Sequence, residues 1–230
     1  MIRCTVCGTD NDDLAVLCRS CKSYLQTKVD TLDLFGTIWL LIEAPRRAMK
    51  RIVLARYKNY VYFLSALFGI SFVYTAMWYR NLGKMYPDLF VLLVGGLLIG
   101  PLVGILFVLL SSIVLSAFSR LLGGKATRRN TFAVVAYSTV PIVFSLVFVL
   151  PVEVGVFGLS FFDNNPSPLV LKPVEYVVLI GMDILALVWS WILLVEGVVI
   201  ANGFTRMKSA MAGVVLLVLA GLSAAGLHYL

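Results

Sequence analysis

Five apolar stretches, at 60–79, 89–118, 132–151, 175–201 and 209–229, dominate the chain. Each is long enough to cross the roughly 30 Å hydrocarbon core of a bilayer as a helix, which takes about 20 residues. Lipid offers the backbone no water to bond, so a spanning segment must satisfy its own N–H and C=O groups, and a helix does this. A water-soluble core is excluded by composition: at 60% hydrophobic and 13% charged residues, too little polar surface remains to coat a globule. The expected fold class is an all-α polytopic membrane protein with five transmembrane helices. Arg3 and other polar residues precede the first long apolar run, so no cleavable signal peptide is expected. The second stretch, about 45 Å long as a straight helix, must tilt, protrude or break, and Gly100-Pro101 is the expected place. Pro141 should kink the third in the same way.

The basic residues orient the bundle. Of the 19 Lys and Arg, ten precede Tyr60, four lie between the second and third stretches and two between the fourth and fifth. Only Arg80, Lys84 and Lys172 fall in the other loops. By the positive-inside bias the amino terminus is cytoplasmic and the carboxyl terminus outside. The net charge of +7 therefore reports topology, and nucleic acid is discounted as a partner. Trp78, Tyr79, Phe161, Phe162, Tyr176 and Tyr229 are expected in an outer aromatic belt, with Tyr57, Tyr60 and Phe118 in an inner one.

Ahead of the bundle stand Cys4-Thr5-Val6-Cys7 and Cys18-Arg19-Ser20-Cys21, two CxxC knuckles ten residues apart. This spacing can set Cys4, Cys7, Cys18 and Cys21 at the corners of a tetrahedron about 2.3 Å from one structural Zn2+. Gly8, just after the first knuckle, allows the reversal that a ribbon needs, through a positive φ. Two disulfides are the alternative, disfavoured by a reducing cytoplasmic location and by the spacing. Between knuckles and bundle, 32–43 is apolar but too short to span, and Pro45 and the cations of 46–51 follow it. It reads as an amphipathic helix. Phe35, Ile38, Trp39 and Ile42 would face either the membrane interface or the cytoplasmic end of the bundle. The chain thus divides into a zinc ribbon at 1–28, an interfacial helix with a basic linker at 29–58, and a membrane domain at 59–230.

Catalytic groups are sparse. The single histidine, His228, lies near the chain end, and Gly123-Gly124-Lys125 fails as a phosphate loop because Ala126 stands where a Ser or Thr must reach magnesium. The chain is expected not to be an enzyme. Asp183 and Glu196 are the carboxylates expected inside the membrane, where insertion costs at least about 2.5 kcal/mol, so each should face the bundle interior or water. Asp183 serves either as a protonated, hydrogen-bonded structural group or as part of an ion or solute path, and Glu196 lies within reach of Arg206. Gly96, Gly100 and Gly104 line one face of the second span, where another backbone can approach.

The segments Leu122-Gly123-Gly124-Lys125-Ala126-Thr127, Val135-Ala136-Tyr137-Ser138 with Pro141, and Glu196-Gly197-Val198-Val199 followed by Gly203-Phe204-Thr205-Arg206 resemble the Yip family. The likeness is to prokaryotic members, in which a zinc ribbon precedes a five-span domain. Gly123, Gly124, Tyr137 and Pro141 are its most specific carriers. The resemblance implies a non-enzymatic adaptor or scaffold in a prokaryotic plasma membrane, accessory to a transport or trafficking complex. Its implied partners are the lipid bilayer and a membrane or cytoplasmic protein, with a second copy of the chain as a further candidate. Eukaryotic relatives bind small GTPases through long polar tails; a compact ribbon stands here instead, so GTPase binding is not carried over. The alternative is a small transporter or channel using Asp183 and Glu196.

A phosphatase that works only outside the cytoplasm tests the orientation. Fusions after residue 85 and at the carboxyl terminus should be active and a fusion after residue 125 inactive; the reverse pattern would invert the topology.

Overall fold

The structure, a computed structural model, describes residues 2–12, 14–26 and 29–226; Tyr229 and His228 lie outside them. The amino-terminal module opens with strands β1 (Ile2–Arg3) and β2 (Asp10–Asn11), paired antiparallel with Ile2 opposite Asn11. Helices α1 (Leu34–Glu43) and α2 (Pro45–Leu54) follow, then α3 (Val61–Tyr79) and α4 (Leu89–Leu121). The third stretch is a composite of α5 (Arg128–Ser138), α6 (Val140–Phe144), a π-helical turn (Ser145–Val149) and α7 (Leu150–Phe157). A short α8 (Pro168–Leu171) leads into α9 (Pro173–Asn202), and α10 (Arg206–Gly226) closes the described chain. Among the described residues, four helical segments are long and apolar enough to cross a membrane: Val61–Tyr79, Leu89–Leu121, Arg128–Phe162 and Pro173–Asn202. The fifth expected span begins on α10 and ends outside the described residues.

The basic run after Pro45 is helix rather than linker. Pro45 sits at its first turn, where the missing N–H costs nothing. Ala48, Met49, Ile52 and Val53 recur at helical spacing and are buried, packing α2 on α5 and α9, while Arg46 and Arg47 stay exposed. Asp33 caps α1 by accepting from the Gly36 N–H at 2.6 Å. Here Leu41 and Thr37 are buried, whereas Phe35, Trp39 and Ile42 are 81%, 67% and 55% exposed. One face of this helix therefore packs on α2, and the aromatic face points outward.

Proline acts differently in the two spans. Pro101 lies inside an uninterrupted α4, so the expected break at Gly100-Pro101 does not occur. At Pro141 the ring would collide with the Tyr137 carbonyl, and α5 ends at Ser138. The hydroxyls of Ser138 and Thr139 donate to the Val135 and Ala136 carbonyls at 2.7 Å, taking up acceptors there. The span also continues beyond Pro151, which fits the first turn of α7. Phe161 and Phe162, expected at the interface, are buried instead. They pack edge to face with centroids 5.1 Å apart.

The closest helix approach is α3 on α4. A Cβ on Gly69 would collide with the Gly100 carbonyl and the Gly104 backbone, and one on Gly104 with the Ser65 carbonyl. The small-residue face of the second span meets a glycine on the first, and two backbones touch. Around this seam lie two apolar cores. One gathers Met49, Ile52, Leu64, Tyr137, Leu193 and Val198 at the end next to α2. The other gathers Tyr74, Leu92, Phe157, Phe162 and Leu179 at the far end. Outward faces of α4 and α9 carry exposed Leu97, Leu102, Leu106, Leu185 and Val188, as lipid contact requires.

Gly69→Ala should destabilise the purified protein by about 1–3 kcal/mol, because the added methyl has only backbone to displace. Gly181→Ala, whose new Cβ meets nothing within 4 Å, should be tolerated. Equal thermal unfolding of the two variants in detergent would refute the tight seam.

Candidate functional site

Two knuckles of the same construction build the amino-terminal site. In the first, the Gly8 N–H donates to the Cys4 carbonyl at 2.9 Å and the Cys4 N–H to the Thr9 carbonyl at 3.0 Å. In the second, the Lys22 N–H donates to the Cys18 carbonyl at 3.1 Å and the Cys18 N–H to the Ser23 carbonyl at 2.9 Å. Gly8 has φ +72° as expected, and Lys22 occupies the matching place at φ 59°, a position that no glycine announces. The loops bring the Sγ atoms of Cys4, Cys7, Cys18 and Cys21 within 4.8 Å of one another. Cys4 and Cys21 are 3.6 Å apart, Cys7 and Cys18 3.5 Å. Those separations suit sulfurs on one tetrahedral ion, which at about 2.3 Å from the metal lie about 3.8 Å apart. The four thiols are free.

At Cys4 and Cys7 the surroundings favour the thiolate form that a metal needs. At Cys21 the bonds to Ser23 are outweighed by the neighbouring Cys7 thiol, burial and the Cys4 thiol, which push it up. Hydrogen bonds from the Thr9 side chain and backbone hold the Cys7 thiol down at about 6. A bond to Ser23 lowers Cys4. Asn11 orders the second knuckle, donating to Cys18 Sγ at 3.6 Å and accepting from the Arg19 N–H at 2.9 Å. The module is also tied down. The N–H groups of Arg56 and Tyr57, past the end of α2, donate to the Val29 and Asp30 carbonyls at 2.8 and 2.9 Å.

Glu196 sits where the tied end meets the bundle. Its side chain is nearly buried; Oε2 accepts from Arg46 of α2 at 2.9 Å and Oε1 pairs with Arg206 of α10 at 2.8 Å. The expected reach to Arg206 is present, and the second partner, Arg46, was hidden 150 residues away. The family-motif residues surround this junction. Gly123 turns the 122–127 loop at φ +84°, and Gly124 packs on the Asn202 side chain. Asn202 Oδ1 accepts from the Ala126 N–H at 3.1 Å while its amide donates to the Val198 carbonyl, so one buried side chain clips the loop to α9. Tyr137 is fully buried and donates to the Asn59 carbonyl at 2.7 Å. Lys58 closes α2 by donating to the Ile52 and Val53 carbonyls, the latter at 2.7 Å. Burial, with Arg129 nearby, brings its ammonium down to about 8.

Asp183 is elsewhere, in the half of the bundle away from α2. It accepts from the Ser145 hydroxyl and lines a cavity of about 240 Å³ together with Glu153. Asp183 and Glu196 are thus not one site. Glu153 escaped sequence reading because the third stretch was ended at Pro151, which placed this carboxylate in a loop; in α7 it is 2% exposed. The approach of two acidic residues 30 positions apart had no local signal.

The Yip1 domain family model matches residues 39–227, which takes in α2 through α10 and the second half of α1. No curated protein and no solved structure matches the chain.

Asn202→Ala would leave the Ala126 N–H without its acceptor and should cost about 1–2 kcal/mol. Limited proteolysis should then cut faster at Lys125 and Arg128, while the α3–α4 loop is cut as before. Unchanged cleavage would show that Asn202 does not hold the loop.

Proposed function

Because the chain belongs to the Yip1-domain family, we propose that it works as a non-enzymatic membrane adaptor, its bundle the anchor and its zinc-bound amino-terminal module the docking surface. The carrying observation is the surface of that module: Val6, Leu17 and Tyr24 are exposed apolar side chains on a unit of fewer than thirty residues. A unit so small depends on its ligands for folding, and four thiolates suit one closed, structural zinc with no open position for hydrolysis. The knuckles need reduced cysteines, which agrees with a cytoplasmic amino terminus in a plasma membrane. Arg3, Arg19 and Lys22 are interspersed with Asp10 and Asp12, so the module offers protein rather than nucleic acid a surface.

The helices beneath support an interfacial seat. The outward Phe35, Trp39 and Ile42 of α1 suit the acyl and headgroup boundary. Arg47, Lys50 and Arg51 of α2 follow them and would attract anionic headgroups by about 1 kcal/mol each. The module would then be held at a fixed height above the membrane, where a partner complex meets it. The transporter reading draws on one observation, the carboxylates of Glu153 and Asp183 in a membrane cavity. Glu196 drops out of it, being occupied by Arg46 and Arg206. A flux through reconstituted protein that disappears in Asp183→Asn would favour that reading.

Metal analysis should give about one zinc ion per chain, falling well below that in Cys4→Ser. Cross-linking in intact membranes, read by mass spectrometry, should lose its main protein partner in a full-length Val6→Arg, Tyr24→Arg variant that keeps its zinc. A partner set indifferent to this change would remove the adaptor role.

A further inference from the structure

The cavity that holds Glu153 and Asp183 lies between α3 and α9 and is floored by the π-helical turn and α7. Among the described residues, no Lys, Arg or His lines it. Glu153 is 2% exposed, its carboxyl interacts with that of Asp183, and its Oε1 has no hydrogen-bond partner among the described residues. Asp183 has the Ser145 hydroxyl, one donor against the several that a carboxylate takes. Two carboxyl groups in so apolar a place require a positive partner or a proton. The rest of the wall says which kind of partner fits. Tyr74, Trp78 and Phe161 present rings, and ring faces attract cations. Exposed Ile184 and Leu187 stand at the side, so the cavity opens toward lipid. A hard inorganic ion wants about six oxygens in its shell, whereas an ammonium needs only three acceptors and can lay an apolar body against rings. At 240 Å³ the space is below the usual range for drug-sized ligands.

We propose that this cavity is a binding site for a small primary ammonium with an apolar body, with Glu153 as the principal counter-ion, Asp183 as the second acceptor and the aromatic wall as the seat for the body. The ammonium comes either from a free amphipathic amine or from a lipid headgroup entering at the side. The site is independent of the adaptor reading, since it lies in the opposite half of the bundle from the cysteine module.

Phenethylammonium is the probe, titrated calorimetrically into full-length protein in phosphatidylcholine nanodiscs. It should bind, with phenethyl alcohol at least about tenfold weaker, and Glu153→Gln should weaken it about tenfold or more. Wild-type protein rejecting the alcohol carries the claim even if Glu153→Gln does not fold. Repeating the titration in phosphatidylethanolamine nanodiscs separates the sources: competition assigns the site to the headgroup ammonium, and undiminished binding assigns it to a free amine. No binding in phosphatidylcholine discs, equal binding of the alcohol, or a folded Glu153→Gln that binds normally would each overturn the proposal.

Discussion

The carboxylate of Glu196 is the point on which three helices converge. A buried anion near the end of a spanning helix is costly unless opposite charge reaches it, and here Arg46 and Arg206 arrive from α2 and α10. Both guanidiniums keep most of their surface exposed, so the pairing desolvates one group rather than three. The next residue, Gly197, lets α9 pack on Val134 of α5 and Met49 of α2. Charge and close packing therefore fix α2 at the same place. From that attachment follow the outward face of α1 and, through the backbone bonds of Arg56 and Tyr57, the position of the cysteine module.

Features carried by short-range patterns were legible in the sequence. The cysteine spacing foretold four converging thiols, and hydrophobic length located the first, second and fourth spans to within a few residues, while the third was drawn short, ending at Pro151 instead of Phe162. Glycine periodicity announced the seam with α3, and Pro141 announced the end of α5. Features that depend on distant partners were not. Charge masked α2: four cations among ten residues suggested a linker, although Ala48, Met49, Ile52 and Val53 keep helical spacing. Prolines mark breaks only when the local geometry lets them. Pro151 begins a helix turn and Pro101 is absorbed by a continuous helix, so the span limit drawn at Pro151 hid Glu153. Asn202 carried no signal, since its role comes from a loop 76 residues earlier in the chain.

The bundle thus has two ends of different character. Near α2, three buried polar side chains bridge separate elements: Glu196 through arginines, Asn202 through two backbone groups and Tyr137 through the Asn59 carbonyl. The Thr37, Ser119 and Ser209 hydroxyls there have no partner among the described residues. That end suits a rigid support for a docking module. In the far half, a span broken by a π-helical turn, a cavity and a Glu153 oxygen with no hydrogen-bond partner among the described residues coincide. Irregular backbone at membrane depth is tolerated where it lines a cavity, and this is where it is found.

The account rests on α2 being locked to the bundle through Glu196, and a double-mutant cycle measures that lock directly. Unfolding free energies in mixed micelles of the unaltered protein, Arg46→Ala, Glu196→Ala and the double variant should give a coupling of about 1–3 kcal/mol. Both single variants should also raise protease access to the segment joining the cysteine module to α1. Additive losses, with a coupling near zero, would mean that α2 is held by packing alone and would contradict the central role given to Glu196.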